Sequence, residues 1–230
     1  MTSSTLDIRV LPVTPFQQNC SLLFDTKTRD GVLVDPGGEA QKLMASAKEL
    51  NVNVKEIWLT HGHLDHAGGA DEIREVLDVP VIGPHKDDQF WMDDIEMHWE
   101  NYGHKNMGRN VVPDRYLEDG ETLSLAGVEF KVAHTPGHTP GHVVIYNQEM
   151  KIAFVGDVIF RGSIGRTDFP KGNHQDLLDS ITQKLWPLGG DMRFIPGHGP
   201  MSTFAQERKD NAFVADDIIG KAGQNTTGVM

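Results

Sequence analysis

The 230 residues contain one cysteine, Cys20. A lone thiol excludes an intramolecular disulfide and suits a reducing compartment. Cationic side chains are in the minority, with 21 Lys and Arg against 33 Asp and Glu and a formal net charge of -12. The resulting field repels phosphate backbones and anionic lipid, so neither nucleic acid nor a membrane surface is expected as a partner. No apolar run is long enough to span a bilayer. The N-terminal MTSSTLDIRVLPV lacks the basic start and apolar core of a signal peptide. A soluble cytoplasmic protein is expected. Its 38% hydrophobic content excludes a disordered chain and supplies a sizeable core.

Short runs rich in Val, Ile and Phe, bounded by Gly, Pro, Asp or Asn, predict ten strands: DIRVLPV, NCSLLFDT, GVLVDP, EIWLT, VPVIG, TLSL, VEFKVA, HVVIY, IAFVGD and MRFIP. Helical periodicity predicts helices over EAQKLMASAKEL, ADEIREVL, HKDDQFWMDDIEMHWEN, HQDLLDSITQKLWPL and TFAQERKDNAFVADD. Asn173 is placed to cap the fourth, and Thr203 with Gln206 reads as a capping box for the last. Strand-strand-helix units recur in both halves, as a duplicated α/β sandwich would require. No linker splits the chain, so one domain over 1–230 is expected, with the small, polar end of 211–230 a fraying tail.

The stretch LTHGHLDHAGG, 59 to 69, crowds three histidines and an aspartate into the connection between a strand and a helix. Residues two apart on an extended chain share a side, so His61 and His63 can grip one ion together. Asp65 and His66 follow where the chain turns into the helix and can aim at a second ion. A turn or a helix cap requires none of these residue types, and imidazole with carboxylate suits zinc or iron. Three further turns supply partners. His138 stands in HTPGHTPGH, Asp157 just past the apolar IAFVG, and His198 in IPGHGP. A turn histidine by itself is usually just exposed, and a carboxylate after a buried strand is costly unless paired. Five of the eleven histidines, His61, His63, His66, His138 and His198, are thus candidate ligands. The sum is three ligands per ion and one shared, with two ions bridged by Asp157.

T-H-G-H-L-D-H, then P-G-H-T-P-G-H, V-G-D and P-G-H-G, in that order, resembles the metallo-β-lactamase superfamily up to about residue 210. The resemblance implies a four-layer αββα sandwich with mixed sheets and the metals at one edge between them. VDPGG, GDVIFRGSIGRTDFPKG and IPGHGP look like the glyoxalase II group, the hydroxyacylglutathione hydrolases, in its short bacterial form. Carried over by motif, the first metal takes His61, His63 and His138. The second takes Asp65, His66 and His198, with Asp157 and a hydroxide bridging; the hydroxide is the implied nucleophile. Asp65 and Asp157 are the implied catalytic carboxylates. Two divalent ions are expected, zinc first, with iron or manganese as alternatives. The β-lactamases of this fold use a cysteine ligand, which this sequence does not offer. A diiron flavoprotein would have glutamate where His63 stands. Lactonases share the ligand set. Persulfide dioxygenases share GRTDF and would bind one iron through His61, His138 and Asp157.

A small-molecule thioester, glutathione-derived, is the expected substrate; oligomeric state is not encoded. Two carboxylates on glutathione call for local positive charge, and Arg161, Arg166 and Lys171 follow Asp157. Arg166 matches a glutathione-contacting basic residue of the larger glyoxalase II enzymes, or else pairs with Asp168 to stiffen its loop. The larger enzymes carry a C-terminal helical domain; here one helix is expected in its place, offering Arg208 and Lys209, which leaves a broader thioesterase open. Asp35 in VDPGG is either a partner of a ligating histidine or only a turn. His134 and His142 read as structural, and His85, His98, His104 and His174 as ordinary surface or helix positions. Phe90, Trp91 and Trp99 are expected to pack on the core.

Overall fold

All ten predicted strands form, because each run can bury at least one face. The computed structural model describes residues 5–224. The first sheet contains β1 (Leu6–Val13), β2 (Gln18–Asp25), β3 (Asp30–Val34), β4 (Asn53–Trp58) and β5 (Val81–Ile82), in that order. β1, β2 and β3 pair antiparallel, and β3, β4 and β5 pair parallel. Parallel neighbours need a crossover, supplied by α1 (Ala40–Glu49) after β3 and by the single turn α2 (Leu64–Ala67) with α3 (Ala70–Leu77) after β4. Next come α4 (Gln89–Met92) and α5 (Ile95–Asn101).

The second half adds β6 (Thr122–Leu125), β7 (Val128–His134), β8 (Val143–Asn147), β9 (Ile152–Gly156), the hairpin β10 (Ile159–Phe160) and β11 (Ser163–Ile164), β12 (Arg193–Pro196) and β13 (Ser202–Thr203). Its sheet has the order β13-β12-β9-β8-β7-β6, with β9 and β12 parallel and the other pairs antiparallel. α6 (His174–Asp179) runs on into a π-helical stretch, Ser180–Leu185; α7 (Phe204–Asp210) and α8 (Asp216–Gln224) follow.

Period-two alternation sorts the side chains into layers. Leu23, Val32 and Trp58 face Phe130, Val132 and Phe154 between the sheets. Leu22, Leu33 and Ile57 point the other way, against Leu43 of α1 and Ile73 of α3. Val144, Val155 and Phe194 pack against Leu177 of α6 and Phe204 of α7. The result is the αββα sandwich of mixed sheets that the sequence motifs imply.

Asn173 caps as expected, accepting from the N–H groups of Gln175 and Asp176; of the expected capping box, Thr203 accepts from Gln206 N–H, while the Gln206 amide donates to Asp210 instead. Two long helical expectations break. The 85–101 stretch divides at Asp93 and Asp94, residues poorly suited to a helix interior, and Asn110 caps the second piece by accepting from Glu96 N–H. The 203–217 stretch divides at Asn211, whose buried side chain donates to the Ser163 carbonyl and the Glu207 carboxylate. Of the expected fraying tail, Asp216–Gln224 is helical, and 225–230 lie outside the described residues. His85 is buried rather than at the surface; its ring stacks on His134 at 4.4 Å between centroids. Among the described residues no helix is long and apolar enough to cross a membrane.

Phe130 is fully buried between the sheets, edge-on to Trp58 at 5.5 Å between centroids. Phe130→Ala is expected to cost about 3–5 kcal/mol in urea unfolding; a loss under about 1 kcal/mol would mean that the inter-sheet layer is not a close-packed core.

Candidate metal centre

Strand direction decides where the histidines meet. β7, β9 and β12 run the same way in the second sheet, so His138, Asp157 and His198, in the segments that follow them, emerge at one edge. β3 and β4 run parallel in the first sheet and deliver Asp35 and His61 from their ends. His63 is the N-cap residue of α2, and Asp65 and His66 lie in its single turn.

The seven expected ligand residues come together. His61 Nε2 is 3.2 Å and His138 Nε2 3.0 Å from His63 Nδ1. His198 Nε2 lies 3.1 Å from Asp65 Oδ2. Ligand atoms of His61, His63 and His138 all fall within 4.8 Å of one another, as do those of Asp65, His66 and His198. The Asp157 carboxylate faces both groups. Its Oδ1 is 3.4 Å from His66 Nε2, and its Oδ2 is 3.6 Å from both His138 Nε2 and His198 Nε2.

Three of the rings are held from behind. The His66 Nδ1–H donates to Asp35 at 2.9 Å, that of His138 to the Arg166 carbonyl at 2.8 Å, and that of His198 to the Phe16 carbonyl at 3.1 Å. Such outer bonds fix the tautomer and aim the free nitrogen inward. Asp35 therefore does more than turn the chain: it also accepts from Thr60 N–H and Oγ1–H at 2.7 and 2.6 Å, pinning the start of the His61 loop. His142, expected to be structural, accepts from the Asp157 N–H at 3.0 Å.

Burial, then the neighbouring imidazoles, holds His61 and His63 well below the ordinary histidine range. Burial lowers His138 as well. Burial alone would do the same to His66 and His198, but the carboxylates of Asp157 and Asp65 outweigh it and raise both. Burial would raise Asp157, but His66, His198 and His138 pull it far below the usual carboxylate range.

Two observations fit these residues to metal. His66 Nε2 and Asp157 Oδ1 are buried with no well-formed hydrogen bond and only each other at 3.4 Å, a loose pairing that a cation held by both would replace. The donor set is imidazole and carboxylate; Cys20, on β2, packs in the apolar core with its thiol pushed up by burial and is in neither ligand group. Nitrogen and oxygen donors of this kind suit zinc, iron or manganese.

The expected cations are placed differently. Arg166 is exposed and grips Asp168 with Nε and Nη2 at 2.6 and 2.5 Å, so the loop-stiffening pair forms. Its guanidinium lies 4.3 Å over the Phe169 ring, which abuts His63. Lys171 Nζ lies 3.9 Å over Phe90, beside Trp91, which packs edge-on against His63. Trp91 thus packs into the core and walls the site as well. Arg161 is exposed at the tip of the β10–β11 hairpin. Sequence reading passed over Gln18, buried with Nε2 3.4 Å from His66 Nδ1, and Asn19, whose side-chain amide holds the His198 turn through the carbonyls of Pro196 and Gly199. No motif marks either residue.

Residues 13–198 match the family model of the metallo-beta-lactamase superfamily. Hydroxyacylglutathione hydrolase GloC of Haemophilus influenzae is 43% identical over 210 residues, 91% of this chain and 98% of that protein. The structure of TTHA1623 in a di-iron-bound form is similar at a TM-score of 0.80 and 35% identity, over 89% of this chain and 99% of that one. The B3 metallo-beta-lactamase BLEG-1 is similar at a TM-score of 0.83 and 34% identity, over 90% and 99%.

Asp157→Ala is expected to leave the protein unable to retain two ions per chain, read by elemental analysis after gel filtration. Two ions retained would contradict a shared carboxylate.

Proposed function

The chain belongs to the metallo-beta-lactamase superfamily, and we propose that within it the protein is a binuclear metal-dependent hydrolase of thioesters, with glutathione thioesters such as S-D-lactoylglutathione first among them. The observation that carries this reading is the pair of three-residue groups facing one carboxylate, Asp157. His61, His63 and His138 would hold one ion, Asp65, His66 and His198 the other, and Asp157 both. The name of the Haemophilus influenzae relative supports the substrate class. Zinc is the first choice of metal, with manganese an alternative; the di-iron form of the TTHA1623 structure supports iron as another. Divalent ions at such a centre supply a Lewis acid for the carbonyl and a water acidified from about 15.7 to about 7.

The chain's own residues define how substrate arrives. His61 and His66 are sealed, whereas the side chains of Asp65 and Asp157 are each 12% exposed and that of His198 is 28% exposed. The thioester therefore approaches across Asp65, Asp157 and His198. Asp65, with one oxygen on His198, is placed to orient the attacking water and take its proton. The departing thiolate, with a solution pKa near about 8.5, needs no strong acid. Lys171, stacked on Phe90, would supply positive charge for the substrate's carboxylates together with Arg161, and Arg166, stacked on Phe169, would join them by exchanging Asp168 for the substrate. We read 1–230 as one domain, since both sheets share the inter-sheet core and both contribute to the site. We place it in the cytoplasm, supported by its one buried cysteine.

A mononuclear persulfide dioxygenase would use only His61, His138 and Asp157. The complete second group, Asp65, His66 and His198, favours the two-ion hydrolase over it. Purified protein with both groups filled is expected to cleave S-D-lactoylglutathione, seen as loss of thioester absorbance. Chelator should abolish turnover, and zinc or manganese restore it. No cleavage by the filled protein would reject this substrate class and move the test to lactones and β-lactams.

A further inference from the structure

Outside the ligand set, Asp88 and Glu207 are each sealed in the protein with no ion pair among the described residues, and Asp88 is the one of the two that reaches the loops of the His61, His63 and His138 group. Asp88, just before α4, is fully buried. Its Oδ2 accepts from Gly62 N–H at 2.9 Å and from Thr139 Oγ1–H at 2.7 Å, and its Oδ1 accepts from Gly141 N–H at 2.5 Å. These donors belong to two loops far apart in sequence. Gly62 separates His61 from His63. Thr139 follows His138, and Gly141 precedes His142, which holds the Asp157 N–H. One carboxylate thus clasps both loops of the His61, His63 and His138 group.

The approach is too close for side chains on the clasped loops. A Cβ on Gly62 would stand 2.8 Å from the Asp88 carbonyl oxygen, and one on Gly141 would stand 2.5 Å from the Asp88 nitrogen. Burial pushes the Asp88 carboxyl up to about 6, against the opposing effect of its hydrogen bonds. A carboxylate kept there at such a cost does something an apolar side chain of similar volume would not. Three donors converge on it, and an ionised carboxylate offers only acceptors, whereas an amide would turn its NH2 toward a donor.

We propose that Asp88 is a positioning residue whose carboxylate sets the separation between the His61–His63 turn and the His138 turn, and with it the bite of the first metal group. This rests on the metal-centre reading above. The test titrates cobalt(II) into metal-stripped full-length protein, recording the ligand-field spectrum and, by competition with zinc, the affinity of the tighter site. Asp88→Asn is expected to weaken that site about 10–100-fold, as loss of an outer-shell partner does, and to shift the cobalt bands. The melting temperature of the metal-free protein should stay near that of the wild type. Wild-type affinity and spectrum in Asp88→Asn, or a lowered melting temperature with both unchanged, would overturn the proposal. If Asp88→Asn does not fold, Thr139→Val removes one of the three bonds and leaves the carboxylate in place. It should shift affinity and bands the same way to a smaller extent, and unchanged values would overturn the proposal. Wild-type protein that takes up no cobalt would instead reject the metal-centre reading itself.

Discussion

Everything at this edge of the sandwich answers to one buried carboxylate. Asp157 sits within 3.4 to 3.6 Å of imidazole nitrogens from three segments, His66, His138 and His198. An isolated carboxylate in such a place costs several kcal/mol, so positive charge has to meet it. Without metal, the only mobile positive charge at hand is the proton, and His66 and His198 are the two rings whose proton affinity the carboxylates raise. Divalent ions would replace those protons, so metal uptake and proton release are two sides of one exchange. His61 and His63, held neutral by burial, are ready to ligate without giving up a proton.

The sandwich makes this possible by direction more than by sequence proximity. Parallel alignment of β9 with β12, and of β3 with β4, brings strand ends from both halves of the chain to one edge. Behind each inward nitrogen a fixed acceptor limits rotation: Asp35 for His66, the Arg166 carbonyl for His138, the Phe16 carbonyl for His198. The side facing solvent carries the carboxylates of Asp65 and Asp157, with Arg166 paired to Asp168 and Lys171 resting on Phe90 beside it.

Much of this was legible in the residues. His61, His63, Asp65 and His66 declared themselves because a strand-to-helix connection has no structural need of them, and His138, Asp157 and His198 because each follows an apolar strand. All ten runs of Val, Ile and Phe formed strands for the same reason that they were readable: they bury. The two-residue strands β10, β11 and β13 were not, since two residues carry no period. Helices over 85–101 and 203–217 were overextended because Asn211 and Asn110 cap or end them through contacts with distant residues. Gln18, Asn19 and Asp88 escaped notice for that reason too. Each is an ordinary polar residue whose partners lie far along the chain, and Asp88 hid in an acidic run that reads as a solvated helix face. His85 looked like a surface residue in the same run and is buried.

Two ions sharing Asp157 would be seen by anomalous diffraction from crystals soaked in zinc. Two peaks are expected, one against His61, His63 and His138 and one against Asp65, His66 and His198, each within bonding distance of an Asp157 oxygen. A single peak in the first group, with Asp157 on that ion alone and the second group empty at saturating zinc, would contradict that sharing.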